Sequence, residues 1–363
     1  MRSSGEGVGG LSRRQVLKAS LGAAAGVALV GCRSGRAAPV EPVTLYTSAD
    51  AFLVQQVTAA FTATSGIAVR AVTDSEATKT AGLVERLVAE RGSPRAEVWW
   101  SSEVMGTVSL ARAGLLTRSA PACLSEEFSG SWPGGVCDST GLWWGFGQRA
   151  RVVVWSTKRV EGAKVPRSLE DLASFTPAGR VGIAQPQFGT TRTHLAWTVA
   201  SIGEERAGAL FARLKEGCRL YPGNSAVVRA VAQGECDVGL TDTDDVWAGR
   251  ANGWAVDAAF GVGAEPGSPL LVPNTAALVA RPVVRAEARS LLDFLVSAPC
   301  ERILAQSESR NVPIRHGLTE ELLKSLPELS LPDEVRRANP VDWNAVGNSL
   351  ERADALIAAR FPV

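Results

Sequence analysis

VTLYTSADAFLVQQVTAAFTATSGIAVRAV, residues 43–72, has an apolar run at each end and a longer segment of different rhythm between them. VTLYTS (43–48) reads as a buried strand. In the middle segment Leu53, Val57, Ala60 and Phe61 fall on one helical face, and Gly66 is a C-terminal stop. IAVRAV (67–72) reads as a second strand. A helix between two strands makes a crossover, and a crossover sets the strands parallel. The rhythm continues. TKTAGLVERLVAERG turns Leu83, Leu87 and Val88 inward and ends at Gly92, AEVWWSS (96–102) is a third strand, and VSLARAGLL is a third helix ending near Gly114. This β-α-β-α-β order predicts a parallel sheet with helices on its faces.

The rhythm breaks at 117–142, which is rich in Ser, Pro, Gly and Cys, and then restarts. ARVVVWST (150–157) and RVGIAQP read as strands, TRTHLAWTVASIG and ERAGALFARLKEG as helices. CRLYPG is a strand, SAVVRAVAQGE a helix and CDVGLTD a strand. After residue 265, PLLVPNTAALVA looks like a returning strand and EARSLLDFLVSAP like a helix. The expected fold is α/β and bilobal: two doubly wound α/β lobes joined by a hinge. Lobe one is expected over 43–145 with a return segment 270–325, lobe two over 146–269, and a C-terminal helical tail over 326–363. The chain is expected to cross between lobes near 143–151 and 268–278.

The chain has 363 residues, 45% hydrophobic and 21% charged, as in a soluble globular protein of two domains or lobes. Its 38 basic and 37 acidic residues give no electrostatic case for nucleic acid. Residues 1–42 read as an export signal and tether, not as fold: a basic start, then a weakly apolar run from Ala19 to Val30, too short to span a bilayer. Ser12–Lys18 (SRRQVLK) resembles the twin-arginine consensus, which implies export in the folded state. Leu29-Val30-Gly31-Cys32 resembles the bacterial lipobox, which implies that Cys32 is lipidated and tethers the protein to a membrane face. Five cysteines remain, and export permits disulfides. Cys123 and Cys137 bracket a short loop, and Cys218 and Cys236 begin strands that could lie side by side. One or two bridges are expected, the alternative being five small buried hydrophobes. Neither CxxC nor a Cys/His ligand spacing occurs.

In open α/β sheets ligands bind beyond the carboxyl ends of the strands. That rule singles out five loops: Ser48-Ala49-Asp50, Ser101-Ser102-Glu103, Gln185–Thr191, Gly223-Asn224-Ser225 and Asp242–Asp245. The last holds Asp242, Asp244 and Asp245 within four positions. One of the three is expected only to cap the following helix. Three exceed what capping needs, and like charges this close call for a cation or a donor. Carboxylates and hydroxyls suit hard cations such as Fe(III), Ca²⁺, Mg²⁺ or Mn²⁺. Organic cations suit them too beside aromatic walls, and Trp99, Trp100, Trp143, Trp144 and Trp247 lie near these segments. Gly189-Thr190-Thr191 and Asn224-Ser225 each open a helix, where amides and hydroxyls can hold an anion or simply cap. Arg149 and Arg151 either add positive charge there or are solvated hinge residues.

Several stretches, in order, resemble the extracellular solute-binding proteins of ABC importers, in the subgroup of periplasmic ferric-ion-binding proteins. They are LYTSAD, FTATSGIAVRAV, TKTAGLVERLVAE, EVWWSSEVMGTVSLARAGLL, GQRARVVVWST, PRSLEDLA, FGTTRTH, LYPGNSAVVRAVAQGECDVGLTDTDD and LVPNTAALV. The resemblance implies the bilobal type 2 periplasmic-binding-protein fold, capture of a solute between the lobes, delivery to an importer permease, and a monomer. The ferric subgroup holds iron through a tyrosine pair. This chain has only Tyr46 and Tyr221, and Asp242-Thr243-Asp244-Asp245 stands where the pair is expected. Asp50 stands where some members carry His, and Glu103 near where some supply a carboxylate.

The expected metal ligands are therefore Asp242, Asp244, Asp245 and Glu103. Ser48, Asp50, Ser102, Gly189, Thr190, Thr191, Asn224 and Ser225 complete the cleft. The expected cargo is ferric iron or another hard ion with phosphate or carbonate, and no catalytic cofactor is implied. The alternative is an organic cation or zwitterion such as thiamine, a polyamine or an aminoalkylphosphonate. Enzymatic signatures are missing: no G-x-S-x-G, Walker A or H-E-x-x-H occurs. A carboxylate-dependent hydrolase using Asp50 and Asp244 is the distant third reading.

Overall fold

A computed structural model describes residues 41–362 apart from 75–79, 129–131, 264–266 and 338. The twin-arginine and lipobox segments, with Cys32, lie outside the described residues. Among the described residues the strands are β1 (Val43–Thr47), β2 (Val69–Thr73), β3 (Val98–Ser101), β4 (Leu116–Thr117), β5 (Trp144–Ser156), β6 (Val181–Ala184), β7 (Cys218–Tyr221), β8 (Val238–Asp242), β9 (Val256–Ala259) and β10 (Leu271–Val279). The opening unit forms as its pattern predicts. The helix Ala51–Ser65 buries Leu53, Val57 and Phe61, and Gly66 ends it at φ 71° with its N–H on the Thr62 carbonyl, a left-handed cap that glycine adopts without strain.

The strand order β2-β1-β3-β10-β5-β8-β6-β7 contains one arrangement twice. In the first half β1 lies parallel between β2 and β3, and β10 runs antiparallel to β3. In the second half β6 lies parallel between β7 and β8, and β5 runs antiparallel to β8. The two antiparallel strands pair with each other where the halves meet. β5 pairs with β10 as far as Ala150 and with β8 from Arg151 onward, so it changes partner between these two residues. Strands covered on both faces are apolar throughout: Val152, Val153 and Val154 are fully buried, as are Val98, Trp99 and Trp100.

The tryptophans belong to this core. Trp99 donates its indole N–H to Thr107 and Trp100 to Asn274, while Trp143 is buried with them. Trp247 is half-buried under the Arg250 guanidinium. The expected disulfides do not form: Cys123, Cys137, Cys218, Cys236 and Cys300 are free thiols. The reason is topological for one pair. β6 stands between β7 and β8, with Val181 facing Cys218 on one side and Val238 on the other. Two strand spacings, about 9.6 Å, exceed the reach of a disulfide. Burial pushes the Cys218 thiol up to about 12 and the Cys123 and Cys137 thiols up to about 11, so all three stay protonated. Among the described residues no helix is long and apolar enough to cross a membrane.

The tail reaches both halves of the sheet. Helix Trp343–Asn348 packs on helix Val104–Arg112, which follows β3, and on helix Gly189–Ile202, which follows β6. Helix Leu350–Arg360 packs on Gly189–Ile202 and on Glu204–Gly217.

Candidate metal centre

The five loops at the carboxyl ends of β1, β3, β6, β7 and β8 line one cleft. Asp50 follows β1 and Ser102 follows β3. Gln185 and Phe188–Thr191 follow β6, Pro222–Asn224 follow β7, and Asp242, Asp244 and Asp245 end or follow β8. Arg149 reaches in from β5. The cavity is about 50 Å³, room for a few water molecules at roughly 10–15 Å³ each. Phe188 is the one aromatic in its described lining, so the indole walls expected for an organic cation are elsewhere in the molecule.

Its electrostatics begin at one cross-strand pair. Register sets Arg151 of β5 opposite Asp242 of β8, and their side chains meet at 2.7 Å. Asp242 also accepts from the Thr190 hydroxyl at 2.6 Å and from Asn224 Nδ2 at 2.9 Å. Burial pushes its carboxyl up, but the Arg151 and Arg149 guanidiniums and Thr190 outweigh that and hold it below the usual carboxylate range. Arg151 in turn donates to Thr190 at 3.1 Å and Thr191 at 3.3 Å, and its Nε faces His194 Nδ1 at 3.4 Å. Burial, with Arg151 beside it, drives the His194 pKa well down, so this imidazole is neutral and Nδ1 accepts.

Arg149 precedes Arg151 by two residues and so faces the same side of the strand. It is 5% exposed. One terminal nitrogen donates to the Ser102 carbonyl. Its Nε stands 3.5 Å from Asp242 Oδ2 and 3.5 Å from Asp244 Oδ2 and makes no hydrogen bond. Burial disfavours its charge, but Asp244, Asp242, Asp50 and Asp245 together raise its pKa above the ordinary value. Asp242, Asp244 and Asp245 each bring a carboxylate oxygen within 4.8 Å of the others, a spacing one metal ion could bridge.

Three of the expected site residues are placed otherwise. Glu103 is not in the cleft lining. Its carboxylate caps helix Val104–Arg112, accepting from Met105 N at 2.6 Å and Gly106 N at 2.8 Å, and also from the Thr193 hydroxyl at 2.7 Å. A carboxylate saturated by helix amides has no need of a cation. Ser48 ties the ends of β1 and β3 together through Ser101 and Ser102. Ser225 lines a neighbouring groove of about 270 Å³ beside Asp50, Asp244 and Asp245. The capping expectation for the acids also changes. Asp242 holds the N-cap position of helix Thr243–Ala251 but makes no side-chain cap bond, because its oxygens are committed to Arg151, Thr190 and Asn224.

Residues 43–307 match the bacterial extracellular solute-binding protein family. The chain is 26% identical over 296 residues to the major ferric iron-binding protein of Neisseria meningitidis, covering 80% of this chain and 86% of that one. Iron-bound HitA from Pseudomonas aeruginosa superposes with a TM-score of 0.72 at 25% identity, covering 87% of this chain and 99% of the other. The Trichodesmium IdiA (FutA) protein, solved with iron and citrate, matches in fold with a TM-score of 0.68 at 18% identity, covering 88% and 99%. The architecture is thus the expected bilobal fold of type 2 periplasmic binding proteins.

Proposed function

This chain belongs to the bacterial extracellular solute-binding proteins, and from that premise we propose that it captures ferric iron, with a small synergistic anion, for an ABC importer. The observation that carries the reading is the trio Asp242, Asp244 and Asp245, converging beside a buried guanidinium in a small, oxygen-rich cleft. Carboxylate oxygens are the donors a hard trivalent ion prefers. The kinship with ferric iron-binding proteins points the same way. Asp244 and Asp245, with Asp50 across the cleft, are the cation ligands in this reading. Asp242, already held by Arg151, fixes the cluster in place. The helix starts at Gly189 and Asn224 offer amide groups to phosphate or carbonate, since the first turn of a helix has amides without intrahelical partners.

Contacts from both lobes favour the closed state, so cargo shifts the protein toward closure. The chain crosses between lobes along β5 and β10. Export through the twin-arginine signal and lipidation of Cys32 would tether a monomer outside the cytoplasmic membrane, next to its permease.

Thermal unfolding tests the cargo. With Fe(III) citrate and phosphate at about 100 times Kd, mass action adds about 2.7 kcal/mol of stability. We expect a saturable rise in Tm, lost in Asp244→Ala and Asp245→Ala. No rise with iron, together with a rise for a polyamine or thiamine, would make the acids a counter-charge for an amine instead.

A further inference from the structure

We propose that Arg149 is a tethered counter-cation of the acid cluster: its guanidinium holds the position a cationic cargo must take, and so sets which ions the cleft accepts. This deepens the ferric reading and rests on it for the identity of the cargo. The two arginines of β5 differ in their contacts. Arg151 is fixed by Asp242, Thr190, Thr191 and His194 and serves the fold. Arg149 is buried too and donates one terminal nitrogen to the Ser102 carbonyl, yet its Nε is without a hydrogen bond, 3.5 Å from a carboxylate oxygen of Asp242 and 3.5 Å from one of Asp244. A buried polar N–H normally finds a partner. Here it stands between two acids at ion-pair range, within reach of the span over which the three carboxylates converge. A metal ion bound across those oxygens and this guanidinium would compete for the same charge.

The competition discriminates by charge. A guanidinium is a monovalent, diffuse and weakly hydrated cation. A monovalent ion gains little by replacing it, whereas the attraction of the acids grows with the charge of the ion that enters. A trivalent ion gains most from four carboxylates, those of Asp50, Asp242, Asp244 and Asp245, which all act on Arg149. Once displaced, the guanidinium faces the cleft as a partner for an anion, so cation and anion uptake become linked.

The experiment is calorimetric titration of the whole mature protein with Ca²⁺, and competition against nitrilotriacetate for Fe(III), in wild type, Arg149→Gln and Arg149→Lys. Removing the competitor should strengthen both cations about tenfold or more in Arg149→Gln, because one opposing charge leaves the site. Arg149→Lys keeps a cation and should stay within about threefold of wild type. Equal or weaker binding by Arg149→Gln overturns the proposal and makes Arg149 a support for the acids. Should Arg149→Gln fail to fold, the wild type decides. Phosphate, by drawing the guanidinium from the acids, should raise Fe(III) affinity about fivefold or more, and indifference to phosphate overturns the proposal. Failure of the cargo reading is separate: a wild type blind to Fe(III) alongside an Arg149→Gln protein that binds Ca²⁺ keeps this inference and sinks ferric cargo. If neither protein binds any cation, both fall.

Discussion

Asp242 concentrates the physics of the cleft in one carboxylate. It is buried, paired with Arg151 at 2.7 Å, and carries two further side-chain hydrogen bonds. Breaking a buried pair from one side leaves an uncompensated charge, at a cost of about 3–5 kcal/mol. Arg151→Met should fall at the low end of that range, since Arg149 stays near Asp242. Chemical denaturation of the two proteins measures it, and a loss below about 1 kcal/mol would mean that Arg149 suffices alone. The pair also predicts a pH dependence. The Asp242 pKa is lower in the folded protein than in the unfolded chain. Its stabilisation is therefore complete above the unfolded value, about 4, and disappears as pH falls through the lower folded value. Asp242→Asn has lost that contribution already at pH 7. Its Tm should fall less steeply between pH 5 and pH 3 than the wild-type Tm, and parallel curves would refute the assignment.

Elements were more legible in the sequence than side-chain roles. The strand-helix-strand rhythm of 43–72 could be read because Leu53, Val57 and Phe61 keep helical spacing and Gly66 marks the stop. The five loops followed from a rule about strand ends, and each contributes to the cleft lining. Arg149 and Arg151 could not be assigned in advance, because an arginine in an apolar strand is buried only if a partner far along the chain meets it. That partner, Asp242, is 91 residues from Arg151. A clue was present all the same: two arginines at alternate positions of a strand share one face. The Cys218–Cys236 expectation failed because sequence adjacency of strands is not sheet adjacency, and β6 intervenes. Glu103 turns on a single choice, whether its carboxylate points to the cleft or back to its own helix. It caps the helix, so Glu103→Ala should cost about 0.5–2 kcal/mol, more if the Thr193 hydroxyl is left unpaired. It should lower Tm while leaving Fe(III) affinity within about twofold, since none of its contacts is to the acid cluster. A larger loss of affinity would make it a ligand after all.

At the scale of the whole molecule, the two halves of the sheet are joined by more than β5 and β10. Helix Trp343–Asn348 lies against helices from both halves and Leu350–Arg360 against two of the second half, both outside the segment that matches the family. Their polar ties differ by side. Arg112, on the first half, donates to Asn348 at 2.7 Å. Arg192, on the second, grips Asp354 with two bonds of 2.8 and 2.7 Å. Trp343 adds a buried indole whose N–H reaches the Gly135 carbonyl at 2.7 Å. A segment held on both sides resists any motion that separates those sides, because opening must break one set of contacts. Asp354 is 42% exposed, so its pair with Arg192 contributes only about 0.5–1 kcal/mol. That is small against global stability but a several-fold change in an open–closed equilibrium, since 1.4 kcal/mol is a factor of ten. Arg112→Ala and Arg192→Ala should therefore each leave Tm within about 2 °C yet enlarge the radius of gyration of the cargo-free protein in solution scattering. Saturating cargo should restore the compact value in both, because cargo contacts replace the lost ties. An unchanged radius in both variants would mean that the tail rides on one half only and leaves the hinge free.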